Sequence, residues 1–230
     1  MHTIIRCLVV VVVLGGLVSC AGLNLPGDSQ SAFEAGLGLF NQGQYEDAIP
    51  NFVKATEIDP EFGRAYLYLG RSHLNLRRWS GALAPLRTAY RLSPEETRQE
   101  AVQILIDALI GAGSASLAKG NLSESVSLLR EAWTLAPESE QVKKPLANAL
   151  LQSGTQLLSQ GKASEAVSAF QEVTQLAPKN FRAYVGLAKS LLQSGNALKA
   201  LSAAQSALQL APNSSEALSV FALLSQLQSR

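Results

Sequence analysis

The chain has very few side chains of the kinds that hold metals or form covalent bonds with substrates. It contains two cysteines, Cys7 and Cys20, and two histidines, His2 and His73. Both cysteines lie near the N-terminus, so no cysteine–histidine cluster of the kind that binds zinc can form in the rest of the chain. Disulfide bonds are excluded there for the same reason. Stability must therefore come from packing.

Motifs for catalysis are lacking as well. No serine stands in the G-x-S-x-G context of a nucleophile elbow. The glycine pairs Gly36-Leu37-Gly38 and Gly111-Ala112-Gly113 lie within helical patterns and do not follow a strand, so neither is a phosphate-binding loop. His73 occupies an expected packing position of a helix, which favours a structural imidazole. We predict that the protein is not an enzyme and binds no cofactor or metal.

Charge is also scarce, and it is unevenly distributed. The formal net charge is +1, so no overall field favours nucleic acid as a partner. Residues 21–60 hold six acids and one base, whereas residues 61–100 hold seven arginines and four acids. We interpret these segments as solvated helix faces of opposite sign.

The N-terminal segment has the pattern of a secretory signal. A single base, Arg6, precedes an apolar run over residues 7–18 that only Gly15 and Gly16 interrupt. The run is well short of the roughly 20 residues that a membrane-spanning helix needs. We therefore expect the segment to be removed and not to serve as a permanent anchor.

The residues Leu17-Val18-Ser19-Cys20 resemble the lipobox of bacterial lipoproteins. The resemblance implies that residues 1–19 are the signal peptide, that the Cys20 thiol carries lipid, and that residues 20–28 link this anchor to the folded part. In such lipoproteins, an aspartate directly after the cysteine commonly causes retention in the inner membrane. This chain has Ala21 there, so the resemblance implies an outer-membrane lipoprotein facing the periplasm. The alternative is an ordinary signal peptide in which the cysteine is incidental.

In the rest of the chain, a similar short sequence motif that ends in proline occurs five times. The prolines are Pro60, Pro94, Pro137, Pro178 and Pro212, separated by 34, 43, 41 and 34 residues. At 12, 8 and 5 residues before each proline stand mostly alanine and large apolar residues: Ala48, Phe52, Ala55; Ala82, Leu86, Ala89; Ser125, Leu129, Ala132; Ala166, Phe170, Val173; and Ala200, Ala204, Ala207. Spacings of four and three residues place these side chains on one face of a helix, which we assign as the second helix of a hairpin.

A first helix precedes each of these second helices. At 24 residues before the prolines stand only small residues, which let two helices approach closely: Gly36, Gly70, Gly113, Gly154 and Ala188. Between the helices, glycine recurs where a helix ends in a left-handed residue, at Gly43, Gly120, Gly161 and Gly195, with Arg77 in its place in the second repeat. Four pairs predict capped helix starts: Ser31 with Glu34, Ser93 with Glu96, Asn121 with Glu124 and Asn213 with Glu216.

These residues resemble the tetratricopeptide repeat (TPR) pattern. The resemblance implies an all-α, right-handed superhelical solenoid of about five helical hairpins, at 29–62, 63–96, 106–139, 147–180 and 181–214, with a capping helix at 215–230. Ser125 and Ala204 depart from the pattern, as do insertions of nine and seven residues before the third and fourth repeats. Residues 95–118 could form one overlong helix, whereas Pro145 predicts a new helix start.

Stacked TPR hairpins form a concave groove, lined by their first helices, in which partner peptides or helices usually lie. The register predicts the following groove residues: Phe33, Leu37, Phe40, Arg64, Leu67, Arg71, Asn75, Ile110, Leu117, Leu151, Leu158, Arg182, Val185, Lys189 and Leu192. Any one of them could instead pack between helices.

From this groove and the lipobox-like segment, we expect a lipid-anchored scaffold for envelope proteins in envelope assembly, secretion, pilus formation or polysaccharide export. The alternative is a groove that binds a polysaccharide or another nonprotein ligand, although the aromatic platforms of such sites are sparse.

Overall fold

The computed structural model describes residues 26–228, and the regular elements in that range are α-helices. The signal segment and Cys20 lie outside the described residues. In chain order the helices are α1 (Pro26–Asn41), α2 (Tyr45–Ile58), α3 (Gly63–Asn75), α4 (Trp79–Leu92), α5 (Glu95–Ala118), α6 (Leu122–Leu135), α7 (Glu140–Ser159), α8 (Ala163–Leu176), α9 (Phe181–Gln193), α10 (Ala197–Leu210) and α11 (Ser215–Gln228).

The helices pack as five successive hairpins followed by one single helix, so the predicted all-α solenoid is confirmed. We call the first helix of each hairpin an A helix (α1, α3, α5, α7, α9, and α11 by the same register) and the second a B helix. Each A helix contacts the A helix and the B helix of the preceding hairpin. Among the described helices, no two B helices have Cα atoms within 8 Å of each other. The A helices therefore line the inner, concave face and the B helices fan out on the outer face.

The small residues of the A helices lie directly under large residues of their own B helices. A Cβ atom added at Gly70 would lie 2.4 Å from Cγ of Leu86, and one added at Gly36 would lie 2.8 Å from Cε1 of Phe52. Gly113 meets Leu129 and Gly154 meets Phe170 in the same way. Two helices can only come this close where one lacks a side chain. The small residues that recur 24 positions before the prolines therefore mark where the two helices of a hairpin touch.

The turns inside the hairpins have the expected left-handed residue. Gly43, Gly120, Gly161 and Gly195 have φ between 76° and 83°. Arg77 occupies the same place in the second hairpin with φ 54°. A side chain with a Cβ is strained in this conformation.

The two insertions lengthen A helices at their N-terminal ends. Residues 97–105 belong to α5, which is one continuous helix of 24 residues. The prediction that a new helix starts at Pro145 is wrong, because α7 runs from Glu140 through Pro145. Burial explains the continuity: Val142 and Leu146, on either side of the proline, are fully buried, and that packing offsets the lost backbone hydrogen bond.

Among the described helices, one is long and apolar enough to cross a membrane, namely Thr97–Ala118 within α5. Its apolar side chains also form part of the protein core. Ala101, Leu105 and Leu109 are at most 1% exposed and pack against α3, α4 and α6 residues. Core packing therefore accounts for the composition of this helix.

Most of the residues predicted to cap helix N-termini do not do so in the structure. Ser31 is inside α1, where its hydroxyl donates to the carbonyl of Gly27. Ser93 ends α4 and does not begin α5. Asn121 precedes α6 without a capping hydrogen bond from its side chain, and Ser214, not Asn213, accepts a bond from the Ala217 amide. Helix α1 begins at Pro26, within the predicted 20–28 linker, because proline suits a first helical turn.

Candidate partner-binding face

Three of the predicted groove residues lie in the hydrophobic core. Phe33 and Val185 are 1% exposed and Leu67 is 9% exposed. The Phe33 ring contacts the rings of Phe62 and Tyr68, with centroids 5.0 and 5.6 Å away. In these hairpins the next A helix covers the side chain, so the three residues stabilise the stacking of the hairpins. Their assignment to the groove surface is corrected accordingly.

The other predicted groove residues keep part of their surface open. Leu37, Phe40, Ile110, Leu117, Leu151, Leu158, Leu192 and Arg71 are half-buried, and Arg64, Asn75, Arg182 and Lys189 are exposed. We call the surface that these twelve residues mark on the A helices the concave face. That they contact a partner stays a prediction.

Arginines stack on aromatic rings at the N-terminal end of the concave face. The Arg64 guanidinium lies 5.1 Å from the centroid of the Phe33 ring. Arg71 lies 5.7 Å from the Phe40 ring and 5.2 Å from the Tyr68 ring. The quadrupole of a ring attracts a cation over its face and holds it in place without neutralising it.

Acids of the following A helices pair with some of these cations. Arg71 donates to Glu100 on α5 at 3.1 Å, and Lys189 donates to Glu216 on α11 at 2.8 Å. Arg64 and Arg182, in contrast, have no carboxylate partner among the side chains that the structure describes, and Arg182 lies over the Phe181 ring at 5.8 Å. Each end of the concave face therefore offers one cation that is free to bind an acid.

The predicted groove residues in the middle of the concave face are apolar, whereas Asp107 and Asn148, at the register of Arg64 and Arg182, are exposed there. Ile110 and Leu117 on α5, and Leu151 and Leu158 on α7, are half-buried. Leu151 borders a shallow cavity of about 410 Å³ that Thr155 and the side chain of Leu122 also line. An apolar centre between two free cations suits an amphipathic or extended segment with acids towards its ends.

A second concavity, which the sequence did not predict, lies on the B-helix side. It is a groove of about 1230 Å³ between α6 and α8, with α7 as its floor. Polar side chains such as Ser127, Ser153, Gln156 and Ser168 alternate there with apolar ones. No motif marks the groove, because residues far apart in three helices form it.

Two ion pairs connect successive B helices. Arg87 on α4 donates two hydrogen bonds to Glu131 on α6, at 2.7 and 2.6 Å, and Arg130 on α6 pairs in the same two-pronged way with Glu172 on α8. The hydrogen bonds to their glutamates raise the pKa of Arg87 and of Arg130. A bidentate ion pair of this kind fixes the relative orientation of the two side chains in addition to the attraction between their charges. They join the three hairpins that contain or flank the insertions.

His73 is the one histidine within the described range. It lies in the last turn of α3, packs on Gly81, and its Nδ1 has no hydrogen-bond partner among the described residues. Burial, and then the nearby charge of Arg78, lower its pKa from the ordinary 6.5. No three or more His, Cys, Asp or Glu side chains of residues 26–228 are grouped so that they could hold a metal ion.

The tryptophans do not form an open platform for sugar rings. Both are half-buried. Trp79 packs against Gly111, where an added Cβ would lie 2.5 Å from the indole, and Trp133 packs against buried apolar residues of the core.

Comparisons with known proteins point to one family. Two family models described as tetratricopeptide repeat match residues 33–97 and 157–227. Among solved structures, a TPR repeats protein from Bacteroides fragilis NCTC 9343 is 15% identical; the match covers 87% of this chain and 99% of that one, with a TM-score of 0.58. YrrB, described as a TPR protein with an unusual peptide-binding site, is 20% identical over 83% of this chain and 90% of its own, with a TM-score of 0.40. A search of curated proteins gives no significant match.

The matched segments together cover most of the first two hairpins and most of the last two with α11, and the hairpin register continues through the residues between them. TPR proteins generally mediate protein–protein interactions, and their fold is typically a noncatalytic scaffold. The chain belongs to the tetratricopeptide repeat family.

Proposed function

We propose that this protein is a membrane-anchored scaffold that binds other cell-envelope proteins through its concave face. The observation that carries the proposal is the arrangement of that face. It has an apolar centre and a free arginine at each end, Arg64 and Arg182, each held over an aromatic ring. A partner segment that buries apolar side chains and carries acids would complement it.

The anchor is the second part of the proposal. The lipobox-like residues before Cys20 support lipidation of its thiol, and Ala21 supports the outer membrane, with the folded part in the periplasm. Only five residues separate Cys20 from Pro26, a distance of at most about 22 Å when fully extended. A scaffold tethered so closely would meet partners at the membrane surface, as components of a secretion, pilus, polysaccharide-export or other envelope-assembly machine.

A pull-down from living cells tests the concave face. The full chain carries a C-terminal tag, cells are cross-linked, and proteins that copurify from the membrane fraction are identified. We expect Arg64→Glu to reduce recovery of a specific partner at least about tenfold, because a repulsive charge replaces an attractive one. Arg91→Glu is the matched control: it makes the same charge change at an exposed residue of α4, on the B-helix side.

Three outcomes would contradict this proposal. Equal loss with both variants would point to nonspecific electrostatics, and no loss with Arg64→Glu would place the binding site elsewhere. Absence of any specific partner would exclude the scaffold. The anchor is tested separately with Cys20→Ala, which should move the protein from the membrane to the soluble fraction and abolish incorporation of labelled fatty acid.

A further inference from the structure

The groove between α6 and α8, which we call the outer groove, opens where α7 differs from other A helices. In α3 and α9, the corresponding residues are Leu69 and Leu187, which are at most 9% exposed and pack in apolar clusters with residues of the preceding B helix. At the same register α7 has Ser153, which is half-buried and lines the outer groove. Helix α6 therefore leaves open a part of α7 whose counterparts in α3 and α9 are covered.

The next turn of α7 differs in the same way. Ser72 of α3 and Ser190 of α9 share the register of Gln156, and both are 0% exposed, with hydroxyls that donate to carbonyls of their own helices. Gln156 is exposed instead, and its longer side chain lines the outer groove. Two successive positions of α7 thus present polar groups on a surface that is closed by packing in α3 and α9.

Several polar side chains of the outer groove are available for hydrogen bonds to a ligand. The hydroxyls of Ser127 on α6 and Ser153 on α7, and the amides of Gln156 and Gln160 on α7, have no hydrogen-bond partner among the described residues. Hydroxyl and amide groups can both donate and accept. A peptide backbone offers one N–H donor and one C=O acceptor per residue, so it complements such a row of groups.

The charges that line the outer groove balance each other. Glu124 and Glu165 lie there together with Arg130 and Lys162, so a ligand of either sign gains little net attraction. None of the residues that line the groove within the described range is aromatic, and ring faces on which sugars stack are therefore lacking there. These two features favour an uncharged peptide over a charged segment or a polysaccharide.

An ion pair holds the two walls of the outer groove together. Arg130 of α6, which lines one end of the groove, donates two hydrogen bonds to Glu172 of α8. A site whose walls are fixed before binding loses less conformational entropy when a ligand enters. The floor runs from Leu150 to Gln160 of α7, which is about 15 Å at the rise of an α-helix. An extended peptide spans this length with about four or five residues.

We propose that the outer groove binds a short, extended peptide segment with small, uncharged side chains. The unpaired hydroxyls and amides bond to the backbone of this segment. Val126 and Ala169, which also line the groove, are 7% exposed and leave only shallow apolar patches, which side chains of the size of alanine or valine fit. Because the site lies on the B-helix side, it is separate from the concave face and gives the protein a second binding surface.

Selection from a peptide library tests this proposal. The probe is a mixture of hexapeptides of Ala, Val, Ser, Thr, Asn and Gln, acetylated at the N-terminus and amidated at the C-terminus. It is passed over the immobilised full chain in a nonionic detergent. The retained peptides are sequenced by mass spectrometry and remade with an uncharged fluorophore. Fluorescence anisotropy should then give dissociation constants below about 1 mM.

Two variants test whether these peptides bind in the outer groove. Ser153→Leu introduces the residue that α3 and α9 have at this register, and Ser127→Leu fills the α6 wall. Each should raise the dissociation constant at least about tenfold, because the added side chain occupies the groove and a hydroxyl is lost. Thr155→Leu is the matched control: Thr155 is exposed on the same helix but lines the shallow cavity of the concave face. This variant and Arg64→Glu should bind the peptides as the wild type does.

Circular dichroism confirms that each variant remains folded. The proposal is overturned if no library peptide binds with a dissociation constant below about 1 mM, if either groove variant binds normally, or if Thr155→Leu weakens binding equally. Loss of binding with Arg64→Glu would place the peptides on the concave face. A parallel titration with maltoheptaose, a neutral oligosaccharide, should show no binding. Sugar binding that Ser153→Leu abolishes, without peptide binding, would assign the groove to a glycan.

Discussion

The ring of Phe170 packs against the backbone of Gly186, in the hairpin that follows its own. A Cβ atom at residue 186 would lie 2.4 Å from both Cε1 and Cζ of the ring. On the other side, Gly154 of α7 approaches the same ring, with 3.0 Å to an added Cβ. One side chain of α8 is therefore held between two A helices, and it joins the fourth and fifth hairpins.

We expect Gly186→Ala to destabilise the protein. Alanine ordinarily favours a helix over glycine by about 1 kcal/mol, but here its methyl group would overlap a fully buried ring. Overpacking of this kind costs about 1–3 kcal/mol. Urea denaturation followed by circular dichroism should show the loss, and Gly186→Ala combined with Phe170→Leu should recover part of it.

Gly38→Ala is the control for this substitution. Gly38 is also helical, but an added Cβ meets nothing within 4 Å. Its replacement should stabilise the protein by about 0.5–1 kcal/mol. If both alanine variants changed stability in the same direction, helix propensity and not the contact with Phe170 would govern residue 186.

The left-handed backbone conformation of Arg77 is expected to lower the stability of the protein. Its φ of 54° lies where the other hairpins have glycine, and left-handed backbone costs an L-residue about 1–2 kcal/mol. Since glycine also gains more freedom on unfolding, we expect Arg77→Gly to stabilise the protein by roughly 0.5–1 kcal/mol in urea denaturation. Arg77→Ala should give no such gain, because alanine retains the Cβ. An equal gain with alanine would mean that removing the charge, and not the strain, is responsible.

The sequence predicts the hairpins because each contact within them repeats. The spacing from Gly36 to Phe52 recurs from Gly70 to Leu86, and each repetition supports the others. Contacts between hairpins do not repeat so regularly. The burial of Phe33 and Val185 and the pairing of Arg71 with Glu100 all depend on how one hairpin stacks on the next. That stacking, and the continuation of α7 through Pro145, could not be obtained from the pattern within a single repeat.

Ser125 stands where the other hairpins have alanine at the same register. It is 0% exposed, and its hydroxyl has no hydrogen-bond partner among the described residues. An unpaired buried hydroxyl costs about 1–3 kcal/mol. We expect Ser125→Ala to raise the free energy of unfolding by about 1 kcal/mol in urea denaturation.

Ser190→Ala is the matched control for Ser125→Ala. Ser190 is equally buried, but its hydroxyl donates to the Gly186 carbonyl at 2.8 Å. Its replacement should be neutral or destabilising, because a satisfied hydrogen bond is lost. A gain of similar size at both positions would contradict the role of the missing partner and would indicate a general preference of the helices for alanine.

His73 should make stability depend on pH. Burial, and then the charge of Arg78, lower the pKa of the folded imidazole below the 6.5 of an unfolded chain, although Glu46 opposes this shift. The unfolded state therefore binds the proton at a higher pH than the folded state. The stability that the neutral imidazole contributes is fully present above pH 6.5 and is lost as the pH falls through 6.5 towards the folded pKa. Urea denaturation at pH 8 and pH 5 should show a larger loss for the wild type than for His73→Gln, which cannot titrate. Parallel losses in the two proteins would mean that acidic side chains cause the whole pH dependence.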